Sequence, residues 1–215
     1  MFKLVIFDID GTIVDAYAAI EKSLNYTLQK LGYPKAKMAV VRRAVGYGDK
    51  NFIAYFVDKK DVEEGLKLYR KHHAKALLRY SKVIPGARRL LRGLKRKGYK
   101  LAVASNRPPK FSRILLRHLG LLEYFDTIAC AKDKTEIKPK PFLIPRILKE
   151  LGVRREEALY VGDMTVDVRA GHNAGVRVVA VLGGSSTHSE LKGARPCGIA
   201  GKLSNLLRVA RKCKR

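Results

Sequence analysis

At 215 residues, 47% of them apolar, the chain can bury a full core, as one domain of ordinary size or as a core carrying a smaller inserted module. Lys and Arg number 45 against 19 Asp and Glu, a formal charge of +26, and such a field attracts phosphate esters and nucleic acid alike. No apolar run reaches the ~18 residues of a membrane span, and "MFKLVIFDID" turns acidic where a secretory leader has small residues, so the expectation is a soluble, cytoplasmic protein with no membrane partner.

The first element is a strand, "KLVIF", followed by "DIDGT". In "AYAAIEKSLNYTLQKLGYP" the apolar residues Tyr17, Ile20, Leu24, Leu28 and Leu31 keep the spacing of an amphipathic helix, which stops at Gly32 and Pro34. "AKMAVVRRAVGYG" predicts a second helix ending at Gly46 and Gly48. "DVEEGLKLYRKHHAKALLRYS" predicts a third, through Leu66, Tyr69, His73, Leu77 and Tyr80. Residues 15–83 are thus expected to be all-helical.

After "VIPG" the pattern becomes helix and strand in alternation, which argues for a parallel sheet covered on both faces. "ARRLLRGLKRKG", "KFSRILLRHLG", "FLIPRILKELG" and "MTVDVRAGHNAG" read as helices between the strands "YKLAVAS", "FDTIACA", "EALYVGD" and "VRVVAVLGG"; "KLSNLLRVARK" closes the chain as a helix. Pro145 falls about a turn into its helix, where a missing N–H and a ring clash are unfavourable, so that helix is expected to begin late or to kink. The expected architecture is α/β, a doubly wound parallel sheet formed by 1–14 and 84–215 with a small all-helical unit at 15–83. Cys130, Cys197 and Cys213 are odd in number and widely separated, and are read as reduced thiols. His72 and His73, adjacent on a helix, are read as surface residues rather than a metal pair.

In an open parallel sheet, ligands bind beyond the carboxyl ends of the strands. Four polar clusters fall there: Asp8 and Asp10 after the first strand, Ser105 and Asn106 after "YKLAVA", Lys138 in the "IKPKP" loop, and Asp163 and Asp167 after "ALYVG". Carboxylates at the end of a buried strand need compensation, because desolvation penalises their charge.

The set "DIDGT" (8–12), "ASN" (104–106), "KPKP" (138–141) and "GDMTVD" (162–167), in that order, resembles the signature of the haloacid dehalogenase superfamily of phosphohydrolases. Within it, "VGYG", "PGARRLLRGLKRKGYKLAVASNRP" and "KPKPFLI" look most like phosphoglycolate phosphatases and their near relatives. The helical segment resembles that family's cap inserted just after strand one. The resemblance implies that Asp8 is a nucleophile forming an aspartyl-phosphate, and that Asp10 protonates the leaving oxygen and then deprotonates the attacking water. It implies Mg²⁺ as cofactor, held by Asp8, the Asp10 carbonyl and Asp163, with Asp167 acting through water or by orienting Lys138. Ser105 and Lys138 would bind the phosphoryl group, Thr12 would hold the turn begun at Gly11 and stand beside the substrate, and Asn106 and Arg107 are placed to touch it, the alternative for Arg107 being an ordinary surface residue. The cap would close over a small anionic phosphate ester, with Arg42, Arg43, Gly46, Tyr47 and Gly48 as candidate lining; for the two arginines a solvated helix face is the alternative.

Asp10 argues against halide displacement, which needs no proton donor. A sugar-phosphate mutase shares the same nucleophile and acid and stays open. The charge alone supports a further alternative, a basic protein associated with nucleic acid.

Overall fold

The computed structural model describes residues 2–213; Met1, Lys214 and Arg215, at the two ends of the expected core segments, lie outside the described residues. Strand β1 (Leu4–Phe7) is the centre of a six-stranded sheet with β4 (Lys100–Ser105), β5 (Thr127–Cys130), β6 (Ala158–Gly162), β7 (Arg177–Val181) and β8 (Gly198–Ala200). The order is β5-β4-β1-β6-β7-β8, and every pairing is parallel. The chain order reverses on the two sides of β1, and at such a point the loops beyond adjacent strand ends diverge and leave a crevice.

Alternation along β1 decides which side chains meet which helices. Val5 and Phe7 join Leu101, Val103, Leu159 and Val161 on one face, under α5 (Ala87–Arg96), α6 (Pro109–His118) and α10 (Leu206–Lys212). Leu4 and Ile6 join Ala102, Ala104, Tyr160 and Val178 on the other, under α7 (Leu143–Leu151) and α8 (Thr165–Asn173). With both faces covered, the strands are apolar at nearly every position. Helix α7 begins at Leu143, which puts Pro145 third in the first turn, where its missing N–H breaks no intrahelical bond; the expected late start is what the helix does.

The segment between β1 and β4 carries α1 (Tyr17–Lys30), α2 (Met38–Ala44), α3 (Asp49–Ala54) and α4 (Val62–Tyr80). Helices α1 and α4 pack on each other through Ile20, Leu24 and Leu28 against Leu66, Tyr69 and Leu77, all buried. Two short strands frame these helices: β2 (Val14–Asp15) pairs antiparallel with β3 (Lys82–Val83), Val14 opposite Val83. The segment expected to be all-helical therefore has a β tie at its root, which brings its entry and exit together. The helix α9 (His188–Gly193) and strand β8 also went unanticipated, being short elements in a Gly- and Ser-rich stretch without clear periodicity. No helix among the described residues is long and apolar enough to cross a membrane.

Two side-chain expectations are corrected. Cys197 and Cys213 are joined in a disulfide that ties the approach to β8 to the end of α10 across a separation of 16 residues; only Cys130 is a free thiol. Sequence spacing cannot reveal a bridge whose partners are brought together by packing of a helix on a sheet edge. His73 is buried at 1% exposure, on the apolar face that the helical spacing assigned to it and not at the surface; both it and His72 reach the Ser23 hydroxyl, at 3.1 and 3.2 Å. Because the bridge restrains the unfolded chain, Cys213→Ser is expected to lower stability by roughly 3 kcal/mol for a loop of this length. Thermal melts of the non-reduced protein and the variant check this, and identical melting temperatures would contradict the bridge.

Candidate active site

The crevice beyond β1 holds most, but not all, of the residues the sequence singled out. Asp8, Asp10, Ser105, Asn106, Arg107, Lys138 and Asp167 line one pocket of about 60 Å³. Asp163, fully buried, is not part of the lining but has an oxygen within 4.8 Å of one from Asp8 and one from Asp167. The "DIDGT" turn is closed by Ile9, whose carbonyl accepts from the N–H groups of Thr12, Ile13 and Val14 at 3.0–3.2 Å. Gly11 turns at φ +78°, and a Cβ there would lie 2.5 Å from Asp163 Oδ2. Gly184 is as tightly constrained, since its Cβ would stand 1.9 Å from the same oxygen.

Lys138 is the hub. Its Nζ lies 2.9 Å from Asp8 Oδ1 and 2.7 Å from Asp167 Oδ1, and it donates to the Tyr160 hydroxyl at 2.8 Å. Burial works against its charge, but Asp167 and Asp8 outweigh that and hold its pKa above the usual lysine range. The loop that carries it is pinned by Asn106, whose Oδ1 accepts the Lys138 N–H at 2.7 Å while Nδ2 donates to the Gly46 carbonyl at 2.7 Å. Asp167, third residue of α8, accepts Lys138 and Tyr160 on Oδ1 and the Met164 N–H on Oδ2 at 3.0 Å. The last contact is that of an acid at the third position of a capping box. These contacts set Asp167 directly against Lys138.

Asp163 accepts the Thr12 hydroxyl at 2.8 Å on Oδ1 and the Ser185 N–H at 2.8 Å on Oδ2. Thr12, fully buried, thus directs its side chain to Asp163 rather than into the pocket. Burial first, then Asp167 and Asp8, push the Asp163 carboxyl well above the carboxylate range. Asp8 is likewise pushed up, to about 6, by burial first, with Asp167 and Asp10 adding and Lys138 opposing. One oxygen each from Asp8, Asp163 and Asp167 lies within 4.8 Å of the others. Although Lys138 is near, Asp8 Oδ1 is buried without a hydrogen bond of proper geometry. An all-carboxylate oxygen cluster with an unsatisfied member is the donor set that hard divalent cations take.

Arg107 is not a surface residue. It is 8% exposed, and its Nε and Nη2 donate to the two oxygens of Asp10 at 2.9 and 2.7 Å. Ser105 Oγ accepts the Arg107 N–H at 3.3 Å, which leaves its own proton for another acceptor. Gly46 and Gly48 line the pocket. Arg42 instead lies over the Tyr17 ring at 4.1 Å and reaches the Gly183 carbonyl, and Arg43 pairs with Glu190 and the Ser185 carbonyl, so both arginines join α2 to the loop after β7. Tyr47 is 41% exposed and outside the lining.

Sequence reasoning missed Tyr160, Tyr17, Ser185, Asp49 and the buried role of His73. Tyr160 and Tyr17 read as ordinary apolar positions of a strand and a helix; only their hydroxyls, at 2.9 and 3.4 Å from Asp167 and Asp163, mark them. Asp49, another lining residue, pairs with Arg70 at 3.2 Å.

The Asp8 shift has a consequence for stability. Between its ordinary value of 3.8 and about 6 the folded chain holds a proton that the unfolded chain has lost. Its contribution is therefore full below 3.8 and disappears as pH rises through 6. In metal-free protein, wild type is expected to lose stability relative to Asp8→Asn between about pH 4 and pH 7, by up to ~3 kcal/mol at about 1.36 kcal/mol per pKa unit. Urea unfolding of both proteins across that range measures the difference; a constant difference would contradict the shift.

The haloacid dehalogenase-like hydrolase family model matches residues 5–181. Among curated proteins, a phosphoglycolate phosphatase of Aquifex aeolicus is 35% identical over 182 residues, covering 85% of each chain, and one of Pseudomonas savastanoi pv. phaseolicola is 31% identical over 214 residues, covering 95% of this chain and 78% of that one. Among solved structures, a predicted phosphoglycolate phosphatase of Haemophilus somnus superposes with a TM-score of 0.90 at 25% identity, covering 97% of this chain and 98% of the other. With its family signature carried on the strand ends of this sheet, the chain belongs to the haloacid dehalogenase-like hydrolases.

Proposed function

We propose that the protein is a Mg²⁺-dependent phosphatase of small phosphate monoesters, phosphoglycolate among them, acting through an aspartyl-phosphate on Asp8. The observation that carries this reading is the convergence on one crevice of Asp8, Lys138, Asp163 and Asp167, from segments that follow three different strands. Residues 1–14 and 84–215 act as the catalytic core and 15–83 as a cap over the pocket.

In the first step an Asp8 oxygen attacks phosphorus, the bond from phosphorus to the ester oxygen breaks, and Asp10 gives that oxygen a proton. In the second, Asp10 takes a proton from water as the water attacks the same phosphorus, and the bond to Asp8 breaks to release phosphate. Splitting one displacement into two is what a carboxylate nucleophile contributes, and a positioned acid and base is typically worth about 10²- to 10⁴-fold. Lys138 holds Asp8 in place and faces the phosphoryl oxygens, while the Ser105 hydroxyl is free to donate to one of them. Asp8 and Asp163, with the main-chain carbonyl of Asp10, would hold the cation; when bound, it supplies neutralising charge to the phosphoryl oxygens. The formal charges support this need. With Asp10 protonated as the acid of the first step, Asp8, Asp163 and Asp167 bring three negative charges against two positive ones from Lys138 and Arg107, and a divalent ion leaves the site net positive for an anionic substrate. A pocket of about 60 Å³ between core and cap suits a short leaving group better than a polymer.

Asp8→Asn is expected to abolish turnover of an aryl phosphate, and chelation of divalent cations to do the same, with activity restored by added Mg²⁺. Phosphate release from a panel of phosphoglycolate, sugar phosphates, nucleotides and pyrophosphate measures the substrate range. Undiminished release by Asp8→Asn, or in the presence of chelator, overturns the mechanism.

A further inference from the structure

Arg107 joins two parts of the molecule. Its Nε and Nη2 clasp Asp10 of the core, while Nη1 donates at 2.7 Å to Nε2 of His73 on α4. Burial first, then the Arg107 charge, hold His73 well below its ordinary pKa, so it is neutral: Nε2 accepts from Arg107, and Nδ1–H faces the Ser23 hydroxyl, which donates to the Ala19 carbonyl at 2.7 Å. This neutral relay fixes the plane of the guanidinium without competing for its charge. A guanidinium has five N–H groups, and among the described residues three of those of Arg107 are engaged. Two remain, on a residue that lines the pocket together with Asp8, Ser105 and Lys138. Lys138 is already bound to Asp8 and Asp167, and Arg70 answers Asp49. Arg107 is thus the lining cation with donors to spare.

Its position says which end of a substrate it meets. In the reaction above Asp10 serves the ester oxygen, and Arg107 grips Asp10, so Arg107 borders the leaving group and not the transferred phosphoryl. We propose that Arg107, held from behind by His73, recognises a carboxylate on a short leaving group and thereby selects phosphate esters of small hydroxy acids over neutral ones. The proposal rests on the phosphatase reading for the placement of Asp10. A planar fork matches a carboxylate in a way that an ammonium does not.

The test is calorimetric titration, with Mg²⁺ present, of two non-hydrolysable phosphonates of similar size: phosphonoacetate, which carries the carboxylate, and ethylphosphonate, which lacks it. Wild type is expected to bind phosphonoacetate about 10- to 100-fold more tightly, the range of a charge-assisted bidentate contact. R107Q is expected to erase that ratio and R107K to keep only part of it. Equal binding of the two phosphonates by wild type overturns the proposal even if either variant fails to fold, and so does a ratio unchanged in a folded R107Q. Aryl phosphate turnover by wild type is measured separately: its presence without carboxylate preference sinks this proposal alone, whereas its absence sinks the phosphatase reading.

Discussion

The structure depends on one costly arrangement, three carboxylates buried around a single lysine at the end of the central strand. An isolated ion taken out of water costs several kcal/mol even after relaxation, and Asp163 and Asp167 are fully buried while Asp8 is 6% exposed. Lys138 offsets two of these charges, and hydrogen bonds from Thr12, Ser185, Tyr160 and Met164 satisfy most of the remaining oxygens. What stays unsatisfied is Asp8 Oδ1, together with the mutual repulsion that raises the Asp8 and Asp163 pKa values. Such an arrangement is retained for chemistry rather than for stability, because an apolar substitute of the same volume would fold more easily.

The rest of the fold serves to hold that arrangement. Parallel strands deliver Asp8, Ser105 and Asp163 to the same edge of the sheet, and the reversal of strand order at β1 leaves room between them. The loop carrying Lys138 has no regular structure to position it, so Asn106 does so with bonds to both the Lys138 N–H and the Gly46 carbonyl. The same side chain therefore links the core loop to the inserted helices. Arg107 makes a second link through His73, and the arginines of α2 make a third on the loop after β7. The position of the helical unit is thereby tied, through ordinary polar contacts, to the geometry around Asp8 and Asp10.

Much of this was legible in the sequence, because it obeys local rules. The period of Ile20, Leu24 and Leu28 specifies a helix whatever it packs against, and an apolar run ending in "DIDGT" specifies a strand with carboxylates at its end. The order of the motifs then places Asp8, Ser105, Lys138 and Asp163 at one sheet edge, since parallel strands present all their carboxyl ends on the same side. The disulfide, the β2–β3 tie and the burial of Arg107 and His73 were not legible in this way. Each pairs groups distant in sequence, 16 residues for Cys197 with Cys213 and 34 for Arg107 with His73, and no periodicity encodes such a pairing.

By itself, then, the sequence determined the element types, the parallel α/β architecture and which residues stand at the strand ends, because these follow from side-chain period and motif order. Only the tertiary structure decided what those residues touch. Thr12 turns to Asp163, Asp167 to Lys138, and Arg107 to Asp10, because hydrogen-bond partners are chosen by distance and burial in three dimensions, where groups far apart in the chain compete for the same few donors and acceptors.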